Sequence, residues 1–186
     1  MKVLLSFLTV IFIFLITSCR EQPDSLDEIK LFHPDDKYFK SSMVSLHFII
    51  ETSSIDRVDS IFYQMINQYD LPVDAKGAKD GTYKGESPYD AFDYKHIVEM
   101  EIKDEKIVSL DYNEIHKNGI GKEEDESYCK EMSVTGTSPD IAYPLMEAEM
   151  LEKQNTMKVS AVSGATYSLY RFRYAITVAL MKSPVK

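Results

Sequence analysis

Cysteine is nearly absent: the 186-residue chain has two, Cys19 and Cys129. One closes an apolar leader, so the body of the chain has no internal disulfide framework and must stand on its hydrophobic core. Cys129, with no basic or histidine pattern beside it, reads as a half-buried residue and not as a nucleophile. Basic charge is also short. Lys and Arg number 21 against 30 Asp and Glu, a net charge of −9, and no Lys/Arg cluster exists. That balance argues against nucleic acid as a partner and against charge-driven attraction to anionic lipid. His33, His47, His96 and His116 are scattered without metal-ligand spacing and read as surface or internally satisfied residues. The polar run 114–126 lacks the spacing of a calcium loop and reads as a solvated acidic face. No acid–base or nucleophile–base pair stands out.

What is present begins with the leader. Lys2 supplies one positive charge, and Val3 to Ile16 is apolar apart from Ser6 and Thr9. The run suits a signal-peptide core and is short for a spanning helix. It ends in Ile16-Thr17-Ser18-Cys19, which resembles a bacterial lipobox, with small residues before a cysteine that becomes the lipidated N-terminus. Residues 1–18 are then a signal peptide, and Cys19 is the lipid attachment. Several acyl chains at one residue give stable anchoring. Cleavage removes Lys2 and no acid, so the charge moves to −10, 20 basic against 30 acidic. Residues 19–40, polar and acid-rich with Pro23 and Pro34, form a flexible spacer. The location expected is the cell envelope, tethered by lipid on the extracytoplasmic face.

Residues 41–75 read as a strand–helix unit. Val44, Leu46, Phe48 and Ile50 alternate with Ser45 and His47, the pattern of a half-buried strand. Ser53 or Ser54 caps a helix from about Ile55, whose Val58, Ile61, Phe62, Met65, Ile66 and Tyr69 make one stripe until Leu71-Pro72. A second unit follows over 80–182. Asp80 to Glu86 reads as a turn feeding a strand. Lys95–Lys103 and Ile107–Tyr112 form a hairpin about Asp104-Glu105, with Val98, Met100, Ile102, Val108, Leu110 and Tyr112 inward. Ser138-Pro139-Asp140 starts a helix carrying Ile141, Leu145, Ala148, Met150 and Leu151 on its apolar side. A last helix from Thr166 buries Leu169, Phe172, Ile176, Ala179 and Leu180, with Arg171 and Arg173 outward. The fold class expected is α+β: a small antiparallel sheet packed by C-terminal helices, with an N-terminal strand–helix extension.

The segment Val159–Ser168, VSAVSGATYS, concentrates the chemistry. Ser163-Gly164-Ala165-Thr166 opens the last helix, where unpaired N–H groups and the positive dipole end favour a phosphate. Ordinary capping by Ser163 or Thr166 is the competing explanation. DGTYKGES at 80–87, the hairpin EMEIKDEKIVSLDYNEI at 99–115, Asn118-Gly119, the acidic stretch Glu123 to Tyr128 and this segment come in one order. Together they resemble the FMN-binding domain family, shared by subunits of ion-pumping quinone and ferredoxin reductases and by extracytoplasmic flavin lipoproteins. The resemblance covers Asp80 to about Leu180.

The resemblance implies FMN esterified through its phosphate to Thr166 by a flavin transferase. Ser163, Gly164 and Ala165 present that threonine. Tyr83, Tyr89, Tyr94 and Tyr167 are candidates to stack on the flavin or are equally core or surface tyrosines, and of these only Tyr83 and Tyr167 sit inside the matched motifs. One residue departs. The family motif has aspartate six residues before the threonine, where this chain has Ser160. The function implied is electron transfer between a membrane reductase and an extracytoplasmic partner, with no substrate of the protein's own. Two other readings stay open: a flavin-free surface lipoprotein serving as a binding module, and a protein that holds flavin non-covalently.

Overall fold

The computed structural model describes residues 46–134 and 136–185. The leader, Cys19, the spacer and the start of the 41–75 unit lie outside them. Among the described residues, no helix is long and apolar enough to cross a membrane.

Residues 46–52 are helical (α1), not the strand that the alternation predicts. The buried positions are Leu46, His47, Ile49 and Ile50, while Phe48 is exposed. Leu46 and Ile50 fit both periods, but Ile49 fits only the i, i+3, i+4 rule, and the helical period wins. The next helix, α2 (Ile55–Tyr69), buries Val58, Ile61, Phe62 and Met65 as expected and ends at Asp70 in the left-handed region.

Three antiparallel strands follow, β1 (Gly81–Glu86), β2 (Tyr94–Lys103) and β3 (Lys106–His116), in the order β1-β2-β3. The fold is α+β, a small antiparallel sheet packed by C-terminal helices. Asp104 and Glu105 both have positive φ, 50° and 58°, so the hairpin turns through two left-handed residues without a glycine. Asp80 helps to hold it by accepting the Asp104 amide on its carboxylate at 2.9 Å. A register irregularity at Glu101/Ile102 pairs Ile102 with Ile107 and Glu101 with Ser109, leaving Val108 over. Ile107 is therefore buried and Val108 exposed, the reverse of simple alternation.

Helix α3 (Glu126–Ser133) has no sequence counterpart above; the Asp125 carboxylate caps it by accepting the Ser127 and Tyr128 amides. Helix α4 (Pro139–Lys153) starts where Ser138-Pro139 predicts. Its buried face is Pro139, Ala142, Tyr143, Met146 and Met150, whereas Ile141, Leu145 and Leu151 are exposed. A short 3₁₀ turn (Thr156–Lys158) leads to α5 (Thr166–Leu180). Helix α5 lies on β1 and β2, and α4 lies on β3. Their shared core gathers Tyr83, Val98, Met100, Ile102, Tyr112, Tyr143, Met146 and Phe172.

Gly85 sets how closely α5 approaches the sheet. A β-carbon built there would fall 2.0 Å from the Ala175 carbonyl oxygen and 2.8 Å from the Ala179 nitrogen, both helix backbone. The helix can only move away as a body. Gly85→Ala is expected to cost about 3 kcal/mol, the upper end for overpacking. In a domain of this size that lowers Tm by roughly 6–12 °C, which differential scanning calorimetry measures.

Candidate functional site

The turn before α5 is built from both sides. Upstream, the buried Arg173 on α5 reaches back to the 3₁₀ turn, donating Nε to the Thr156 carbonyl at 3.1 Å and an Nη to the Val159 carbonyl at 3.0 Å. Ser160 is exposed; its amide donates to a Glu149 carboxylate oxygen, and its hydroxyl accepts Lys153 Nζ at 3.1 Å. Lys153 also donates to the other Glu149 oxygen at 2.8 Å. Those bonds, Lys153 first, hold the Glu149 carboxyl below its ordinary range. An acid therefore stands beside position 160, supplied by α4.

The turn closes with the Ala165 amide on the Val162 carbonyl at 2.9 Å, and Gly164 occupies φ +84°. That positive φ favours glycine. Ser163 and Gly164 are exposed, Thr166 is half-buried as the first helical residue, and the buried Ala165 is the cap position. No side chain caps this helix, so neither Ser163 nor Thr166 supplies the ordinary capping bond. The amides of Thr166, Tyr167 and Ser168 form the free first turn.

The two tyrosines part company. Tyr167 is exposed, and its hydroxyl donates to the Ser53 carbonyl at 3.2 Å. Tyr83 is a core residue, not a stacking surface. It is 2% exposed, and its hydroxyl donates to the Lys79 carbonyl. It shares the inward face of β1 with Gly85, so it sits against the C-terminal half of α5, away from Thr166. The aromatic side chains that line a cleft with Gly164, Ala165 and Ser168 are Tyr128 of α3 and the buried Tyr143 of α4.

Behind the turn lies a charge cluster that the sequence reading missed. Glu114 is fully buried, and its carboxylate accepts Lys122 Nζ at 2.7 Å and the Tyr112 hydroxyl at 3.3 Å. Arg171 reaches it at 3.4 Å while forking onto Glu51 at 2.8 and 2.6 Å. Lys122 also sits over the Tyr94 and Tyr128 rings, at 4.4 and 4.9 Å from their centroids. Burial raises the Glu114 carboxyl, but Arg171 and then Lys122 outweigh it and hold it at about 2. Neither Arg171 nor Arg173 faces out, and 114–126 is not simply a solvated face. The available signal was parity: Glu114 falls two residues after the inward Tyr112.

His47 and His96 are likewise neither surface nor satisfied residues. Their rings lie 5.2 Å apart, 5% and 0% exposed. Cys129 is a free, half-buried thiol whose pKa burial raises.

No family model matches the chain. It is 34% identical over 98 residues to the 15 kDa lipoprotein of Treponema pallidum (strain Nichols), covering 50% of this chain and 68% of that protein. The chain belongs to the 15 kDa lipoprotein family. Among solved structures, the crystal structure of the CPE2226 protein from Clostridium perfringens aligns with a TM-score of 0.51 at 32% identity, over 55% of this chain and 86% of that one. Membership of the lipoprotein family agrees with an envelope protein held by a membrane anchor.

The cluster makes this lipoprotein sensitive to acid. Glu114 has an ordinary value of 4.5 and a folded value of about 2. Its contribution is complete above 4.5 and is lost as pH falls toward 2. Glu114→Ala, which leaves two buried cations without their shared partner, is expected to cost about 3–5 kcal/mol at neutral pH. Urea unfolding of the variant should also lose stability less steeply than wild type between pH 4.5 and 2.

Proposed function

We propose that this protein is a lipid-anchored, extracytoplasmic electron carrier bearing FMN as a phosphoester on Thr166. The observation that carries the reading is the uncapped start of α5. Three free amides and a threonine hydroxyl meet there behind a glycine at positive φ, with no side chain closing the site. Such a terminus suits a phosphate, and the dipole favours its charge. Ser163 and Gly164 are exposed to an incoming transferase. Replacement of the motif aspartate by Ser160 is offset by Glu149, whose carboxylate is hydrogen-bonded to the Ser160 amide.

When bound, the flavin supplies one- or two-electron chemistry. The chain's part is positional. Arg173 ties the segment before the turn to α5, Tyr128 and Tyr167 provide aromatic surface near it, and Cys19 tethers the whole to the membrane. A covalent ester also suits a compartment where free FMN is scarce, because occupancy no longer depends on ligand concentration. A membrane reductase and a second extracytoplasmic redox protein are the partners this reading requires.

Co-expression with a flavin transferase and intact-mass measurement test it. The expected result is a gain of one FMN minus water, abolished by Thr166→Ala and reduced by Glu149→Gln. A colourless protein of unmodified mass overturns the flavin reading and leaves a lipoprotein binding module. Yellow colour lost on denaturation replaces the ester with non-covalent binding.

A further inference from the structure

We infer that His47, Glu51 and His96 form a binding site for a divalent transition-metal ion of the zinc type, linking α1 to the sheet. One ligand atom from each lies within 4.8 Å of the others. His47 and Glu51 are four residues apart on α1 and so share a helix face, and His96 comes across from β2.

The chemistry of the orphaned atoms points to a cation. Among the described residues, neither ring nitrogen of His47 or His96 has a hydrogen-bond partner, and neither does Asp90 Oδ2. Each neutral imidazole offers one lone pair, and Glu51 offers only acceptors. Three converging acceptors outnumber the two donors of a water molecule, whereas a metal ion satisfies all of them. Bonds of about 2.0–2.1 Å place tetrahedral donors roughly 3.3 Å apart, so a side-chain adjustment of about 1–1.5 Å closes the site.

The surroundings fit that use. Asp90 Oδ1 accepts the Phe92 and Tyr94 amides at 2.8 Å each, fixing the carboxylate and leaving Oδ2 3.6 Å from His96 Nε2. A carboxylate behind a ligating histidine sets its tautomer, here protonated at Nε2 with Nδ1 free for the ion. Arg171 occupies one lone pair on each Glu51 oxygen, which leaves others open. The charged groups packed together are Glu51, Asp90 and Glu114 against Lys122 and Arg171. Three acids and two bases leave one negative charge, and burial favours the neutral, ligating form of His47. His₂Glu with a water completes a four-coordinate set.

The test uses the full chain purified in detergent, stripped with a chelator and titrated with Zn²⁺ by calorimetry. A parallel Co²⁺ titration is followed by visible absorption. The expected result is one ion per chain, a tetrahedral Co²⁺ spectrum and a rise in Tm with metal. His47→Gln and His96→Gln abolish it, Asp90→Asn weakens it about 10–100-fold, and Cys129→Ser leaves it intact. Circular dichroism of each variant separates lost binding from lost folding. No stoichiometric uptake by the wild-type chain overturns the inference. So does binding that survives both histidine substitutions or disappears with Cys129→Ser. None of these outcomes depends on whether Thr166 carries flavin.

Discussion

The burial of one carboxylate, that of Glu114, dictates much of the rest of the structure. A charge removed from water on β3 requires cations brought to it, and they come from separate parts of the chain: Lys122 beyond the strand and Arg171 on α5. Arg171 in turn takes Glu51 from α1. A single chain of ion pairs thus joins α1, the sheet and α5. Apolar contacts supply most of the attraction, as in any domain. The ion pairs add direction, because an arrangement that separates these elements leaves Glu114 buried without its cations.

The same logic explains which parts of the fold were legible. Ile55–Tyr69 and Thr166–Leu180 carry long stripes at helical spacing, and the hairpin alternates cleanly on β2. Short or ambiguous signals failed. Leu46 and Ile50 fit two periods at once, while the helical one alone also buries Ile49 and goes with Glu51 meeting Arg171 of α5. Val108 took the wrong face because a bulge changes parity, and nothing in Ile107-Val108 announces it. On α4, Ile141, Leu145 and Leu151 look more apolar than Tyr143 and Met146, yet the latter face β3.

Polar residues were the hardest to place. Arg171 and Arg173 read as outward because isolated arginines usually are. Their carbonyl and carboxylate partners lie 14 to 120 residues away in sequence, a separation that periodicity does not register. His47 and His96 were invisible as a pair for the same reason. At the turn before α5 the local signals were sufficient: Gly164 needs its positive φ, and the segment ends where the helix begins. What the sequence could not show was that α4 supplies an acid beside Ser160.

The double grip of Arg173 on Thr156 and Val159 has a further consequence. The turn is an exposed loop, but its anchor is a buried guanidinium on a helix that must already be docked on the sheet. Its shape therefore exists only in the finished domain, and an unfolded or half-docked chain cannot display it. Any protein that recognises this turn is in effect inspecting maturity, accepting chains whose interior has already assembled and passing over those that are still unfolded.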